Sequence, residues 1–180
     1  AFVVRQELSD HASRNPGAYD VVTAFQVIEH VPDPKAFSRM LVQLLRPGGV
    51  LVLCAPLHPS PLTEIPNFLL NAPPHHLTWW NRRAMQTLAD VLDVEPLEIS
   101  ELPPSPHAAI VGWMHRFSLV RPTLPPHERY FAHRWSWHAS VALAYGLARL
   151  ADRWLPPSGF KKPIDIFMAA RKRNAPVSTG

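Results

Sequence analysis

Apolar and polar positions along the chain switch between two periods. Phe2-Val3-Val4 is a short β-branched run and predicts a strand. Asn15-Pro16-Gly17 is a turn signal. Tyr19 to Phe25, YDVVTAF, then predicts a buried strand. The period next becomes helical. Asp33 can accept a hydrogen bond as an N-cap, and Pro34 suits the first turn of a helix. Phe37, Met40, Leu41, Leu44 and Leu45 follow at the spacing of one helical stripe. Arg46-Pro47-Gly48-Gly49 closes that helix. Val50 to Ala55 is an unbroken apolar run, the pattern of a strand covered on both faces. Residues 19–55 therefore read strand, helix, strand, with loops short enough for a right-handed parallel crossover.

The remainder is less regular. A proline-rich loop is expected over 56–80. Asn81 can cap a helix whose stripe is Met85, Leu88, Ala89 and Leu92. Val94 to Ser100 predicts a strand, 103–137 reads as irregular, and Ile164 to Met168 predicts a last strand. Between them, 138–155 predicts an amphipathic helix with Leu143, Leu147, Leu150 and Trp154 on one side and Arg149, Asp152 and Arg153 away from it. The fold class expected is α/β. Its sheet residues would lie in 1–102 and 161–173, with a helical Trp- and Arg-rich insertion or cap at 103–160 and a disordered tail at 174–180.

Composition narrows the options. With 180 residues, 47% of them hydrophobic, the chain can bury a core of about one domain. A single cysteine, Cys54, excludes an intrachain disulfide framework and a cysteine-rich zinc site. No apolar run reaches the roughly 18 residues of a membrane span. The N-terminus lacks the layout of a signal peptide, so the cytoplasm is the expected compartment. Twenty-one prolines against seven glycines imply many turns. Charge is divided: residues 1–110 hold seven Lys/Arg and eleven Asp/Glu, whereas 111–180 hold eleven Lys/Arg and three Asp/Glu. A basic end of this kind is most simply a solvated face, and it also suits an anionic partner. No nucleic-acid recognition motif is present, so nucleic acid is not expected. The basic helix at 138–155 can pack on the domain or lie on a membrane surface, which would make the protein membrane-peripheral.

Three blocks carry a resemblance: Tyr19-Asp20-Val21-Val22, then Glu29-His30-Val31-Pro32-Asp33-Pro34, then Leu45-Arg46-Pro47-Gly48-Gly49. In this order and spacing they resemble the second half of a class I S-adenosylmethionine-dependent methyltransferase, of the branch that includes ubiquinone-biosynthesis O-methyltransferases. Pro74 to Trp80, followed by a helix, is similar to a loop of many bacterial members. The resemblance implies an incomplete Rossmann-like sheet, of parallel strands with a late antiparallel one, and S-adenosylmethionine as cofactor. It places Glu7 as acceptor for the adenine amino group and Leu8 against the ring, at a strand end. It places Phe25 and Gln26 at the strand end beside the cofactor's methionine part. The family's glycine-rich first loop is absent, which implies the C-terminal part of a longer protein. A degenerate, non-binding relative is the other reading, acting on a partner or membrane through the basic, Trp-rich third.

Methyl transfer from a sulfonium mostly requires alignment of the acceptor and exclusion of water. An oxygen or nitrogen acceptor also gains from a nearby base, and histidine suits that role near neutral pH. His75 and His76 are the candidate acceptor-site bases, with His30 expected to fix its own loop. Trp79 and Trp80 could wall a pocket for a small-molecule acceptor, O-methylation being favoured. Some relatives bind Mg²⁺ through a Glu-x-x-Glu-His pattern. Gln26 replaces one carboxylate here, so Mg²⁺ is not expected, and Glu29 is read as an exposed carboxylate near the helix start. The sequence fixes neither the acceptor nor the oligomeric state.

Overall fold

The computed structural model describes residues 3, 5–61, 63, 73–102, 109–117, 135–155 and 161–174. Phe2 and Val4 of the first expected strand lie outside these residues, as does the expected tail beyond Asn174. The chain divides into two compact units: 1–55, 82–100 and 166–180 form the first, and 56–81 with 101–165 the second.

In the first unit, helix α1 (Leu8–Arg14) leads to strand β1 (Tyr19–Phe25), a 3-10 turn (Ile28–His30), helix α2 (Pro34–Leu44) and strand β2 (Leu45–Pro56). The start of α2 is fixed as the sequence predicts. Asp33 accepts a hydrogen bond from the Ala36 amide at 2.9 Å, with Pro34 in the first turn. Leu41 and Leu44 are buried, Phe37 and Met40 half-buried, so the stripe faces inward. The helix contacts α1, β1 and helix α3 (Arg82–Leu92). Met85, Leu88 and Ala89 form the buried side of α3, and Asp93 (φ 52°) turns the chain into strand β3 (Val94–Leu102).

β1 and β2 run parallel, with Val21 to Phe25 paired to Val50 to Cys54 in register. β2 starts at Leu45, five residues before the predicted strand, because Leu45 already pairs with Tyr19 and Arg46-Pro47-Gly48-Gly49 bulge out before Val50 pairs with Val21. Two glycines make this possible. Gly48 adopts φ +74°, which costs an L side chain. A Cβ on Gly49 would stand 3.0 Å from the carbonyl oxygens of both Arg46 and Asp20. Arg46 also donates from Nε to Asp20 Oδ1 at 2.5 Å, across the same strand start. Strand β4 (Asp165–Lys172) inserts between β2 and β3, giving the order β1-β2-β4-β3. Ile166, Met168 and Ala170 alternate into the core with Leu51, Leu53 and Ala55 of β2. The mixed α/β fold expected from the periodicity is thus the one observed.

Two expectations about strands are corrected. Val3 is exposed and not in a strand, and Leu8, expected at a strand end, opens α1. β1 is not buried: Tyr19, Val21 and Phe25 are exposed and only Ala24 is buried. The cause is its place at the end of the strand order, paired on one side only among the described residues.

In the second unit, Leu57 bridges to Trp80 in parallel and donates its amide to the Ile164 carbonyl at 2.7 Å. Helix α4 (Ala109–Phe117) lies within the segment expected to be irregular, and packs on helix α5 (Trp135–Trp154). Trp113 and Met114 of α4 meet Ala148 and Ala151 of α5, with Ile110, Phe117 and Val141 around them. α5 begins three residues before the predicted helix, and the side it packs is the alanine side. Ala144, Ala148 and Ala151 are buried, whereas Leu143, Leu147, Leu150 and Trp154 are exposed. The large rings lie on α4, and small side chains on α5 let that helix approach them closely.

Candidate functional site

In an open α/β sheet, ligands bind beyond the carboxyl ends of parallel strands. β1 and β2 end side by side, Phe25 opposite Cys54. The Gln26 amide continues the ladder with a 2.8 Å bond to the Cys54 carbonyl. Gln26 then takes φ 55°, a left-handed conformation that costs a non-glycine residue and turns the chain sharply off the sheet. This turn leaves Phe25 (56% exposed), Gln26 and Val27 at the rim. The Gln26 amide nitrogen reaches toward Cys54 Sγ, 3.9 Å away, and Cys54 itself is buried. Phe25 is therefore no core aromatic, and the sequence reading of it as a strand-end residue matches its position.

After the turn, Ile28 and Glu29 go inward. Glu29 is 1% exposed, which corrects the expectation of an exposed carboxylate. His30 Nε2 lies 3.6 Å from its Oε1, an ion pair when the imidazole is protonated. A carboxylate at that depth needs such partners. Gln26 and Glu29, the positions compared with an acidic metal pattern, are thus an exposed amide and a buried carboxylate.

Glu7 and Leu8 stand at the head of α1. Glu7 is the N-cap residue in extended conformation, exposed, and its carbonyl accepts from the His11 amide at 3.1 Å. Leu8 is half-buried. A chain of contacts ties this segment to the sheet: Gln6 Nε2 meets His11 Nδ1, and His11 Nε2 meets the Tyr19 hydroxyl at 2.7 Å. Sequence reading missed this link. Its only signal is the histidine at the fourth position of a helix that was itself not foreseen.

His75 and His76 belong to the second unit. Their rings stack with centroids 5.0 Å apart, His75 exposed and His76 buried. Trp80 is a buried structural residue, with Nε1 donating to Thr78 Oγ1 at 2.9 Å and its carbonyl accepting from the His58 amide at 2.7 Å. Trp79 stacks on the His58 ring at 4.2 Å. The structure thus puts Phe25 and Gln26 together at one strand end, Glu7 and Leu8 together at one helix start, and His75 and His76 together in the loop before α3. An open groove of about 580 Å³ lies elsewhere, on Arg82, Arg83, Gln86 and Thr87 of α3 and Pro96 to Ile99 of β3. None of the predicted site residues lines it.

Comparison with known proteins agrees with this architecture. A family model described as a methyltransferase domain matches residues 1–98. The ubiquinone biosynthesis O-methyltransferase of Cronobacter sakazakii is 48% identical over 46 residues, which are 26% of this chain and 19% of that protein. The corresponding protein of Sodalis glossinidius is 49% identical over 45 residues, 25% of this chain and 18% of its own length. The match to these curated relatives therefore spans about a fifth of their length. Among solved structures, a SAM-dependent methyltransferase from Archaeoglobus fulgidus superposes with a TM-score of 0.51 at 15% identity, covering 94% of this chain and 66% of that one. With more than half of its length matched by the domain model, and the matched part built as a sheet led by two parallel strands, the chain belongs to the class I S-adenosylmethionine-dependent methyltransferases.

Proposed function

We propose that the protein to which this chain contributes transfers a methyl group from S-adenosylmethionine to a small-molecule acceptor, with an oxygen as the favoured acceptor atom. The observation that carries this reading is the rim at Phe25 and Gln26, where two parallel strands end in register and an apolar ring is left exposed. The residues fit part of the cofactor. Phe25 and Val27 offer apolar surface to its aliphatic and sulfonium region, and the exposed Glu7 carboxylate can accept from an amino group. S-adenosylmethionine, when bound, supplies the electrophilic methyl group. The chain's part is then to align and to shield, as an in-line displacement requires. The left-handed turn at Gln26 holds Phe25 at the strand end without a flexible linker. His75, exposed in its loop, is the side chain suited to take the proton that an acceptor hydroxyl loses. The 48% identity over 46 residues to a ubiquinone biosynthesis O-methyltransferase supports the choice of oxygen.

Substitution of Phe25 tests the reading. In the full-length protein, Phe25→Asp places a carboxylate in the apolar wall and should lower affinity for S-adenosylmethionine at least tenfold by calorimetry. Because the ring is exposed, the melting temperature should stay within a few degrees of wild type. Undiminished affinity removes Phe25 from the site. A companion variant, His75→Ala, should lower kcat while leaving cofactor affinity in place.

A further inference from the structure

The second unit holds a feature that the function proposed above does not call on. α5 is 20 residues long and carries two apolar stripes. One, Ala144-Ala148-Ala151, is buried, Ala148 and Ala151 being consumed by the packing on α4. The other, Leu143-Leu147-Leu150-Trp154, follows the spacing i, i+4, i+7, i+11 and so forms one line along the helix. It is left in solvent, with Leu150 59% and Trp154 74% exposed. Trp135, at the opposite end of α5, is 87% exposed. Side chains of this size are rarely left out in a row on a helix whose other face is already satisfied.

What surrounds the stripe identifies its counterpart. At 100° per residue, Arg149 and Arg153 project on the side of the stripe away from the alanine face, and both are exposed. The Arg153 guanidinium lies over the Trp154 ring at 5.6 Å, so charge and aromatic surface are presented together. The described residues of this unit also include exposed Arg116, Lys161 and Lys162. An apolar stripe with arginines along one flank and a tryptophan, Trp154, at its end is the pattern of a helix lying in the plane of a lipid–water boundary. Leucines enter the acyl edge there, tryptophans settle at headgroup level, and arginines meet lipid phosphates. No described helix is long and apolar enough to cross a membrane, which leaves a surface-lying arrangement. A second copy of the chain is a poorer counterpart, since it would bring the same arginine rows toward one another.

We propose that α5 is an interfacial helix that binds anionic membrane surfaces through Leu143, Leu147, Leu150 and Trp154, with Arg149 and Arg153 on the headgroups. The test is co-sedimentation of the 180-residue chain with vesicles of phosphatidylcholine alone and with 30% phosphatidylglycerol added. The chain should bind the anionic vesicles at least tenfold more tightly, and more weakly at high salt. Leu143→Gln/Leu147→Gln/Leu150→Gln should lose at least tenfold in partitioning, with circular dichroism and melting unchanged because those side chains are exposed. If the triple variant fails to fold, Trp154→Ser, at the end of the helix, carries the same expectation. Lack of binding to anionic vesicles overturns the proposal, as does equal binding by folded variants. A wild-type dimer by light scattering that the triple variant converts to monomer, without vesicle binding, assigns the stripe to a second copy and also overturns it.

Discussion

Lys172 shows how one side chain joins two elements. It stands at the end of β4, and its Nζ donates to the Leu45 carbonyl at 2.6 Å and to the Val42 carbonyl at 3.0 Å. These carbonyls lie at the C-terminal end of α2, where intrahelical donors run out and the dipole is negative. Burial lowers the Lys172 pKa below its ordinary 10.5. The unfolded chain therefore holds this proton more firmly than the folded one. In the window from the lowered pKa up to 10.5, stability should rise with pH, while below that window the cost of burying the ammonium is present in full. Lys172→Met removes both the cost and the two bonds. At pH 7 the bonds should outweigh the cost, and the variant should lose about 1–2 kcal/mol in urea denaturation. The wild-type advantage should widen toward pH 10. An advantage that shrinks with rising pH would show that the charge, not the donor, is what the carbonyls need.

Elements differ in how far local rules determine them. α2 is the clear case. Its cap, its first-turn proline and its inward stripe are all within reach of neighbours in sequence, and each was legible before the fold was seen. Asp33→Ala should cost about 1 kcal/mol by thermal or chemical denaturation, since the Ala36 amide loses its acceptor. Asp33→Asn, which keeps an acceptor, should recover most of it. In two others something was not legible, for different physical reasons: in α1 the helix itself, and in α5, foreseen as a helix, the face that packs. α1 presents a single buried residue, Ala12, too little periodicity to mark a helix. α5 presents too much. Its leucine line and its alanine line are both regular, and hydrophobicity favours the leucines. The choice is made by α4, where Trp113 and Met114 supply the bulk and leave room only for alanine. α4 itself sits close to proline-rich sequence, and its apolar window Ala109 to Met114 was hidden by that context. The candidate site follows the same division. The place of Phe25 at a strand end was legible because a strand end is a local feature. The buried Glu29 was not, because its depth depends on what packs over the 3-10 turn.

At the scale of the sheet, the order β1-β2-β4-β3 leaves β1 paired on one side among the described residues. This explains why YDVVTAF, apolar enough for a core strand, is mostly exposed. It also gives the strand a property that no single residue has. The unpaired side of β1 offers a row of amides and carbonyls, and Val21 (53% exposed) and Phe25 add apolar surface beside it. Natural sheets protect such edges with charge, proline or cover, and neither charge nor proline occurs between Val21 and Phe25. The 180-residue chain should therefore self-associate through β1 as its concentration rises. Val21→Lys places a charge on that edge and should lower the association measured by analytical ultracentrifugation several-fold. Its effect on stability should stay within about 0.5 kcal/mol, because the side chain it replaces is already in solvent. The α5 stripe is a second exposed apolar surface among the described residues, and the two are separable. Val21→Lys should leave vesicle binding in place, while the triple glutamine variant of α5 should leave β1-driven association in place. If one substitution abolished both behaviours, a single sticky surface would account for them, and the division of labour between strand edge and helix would fail.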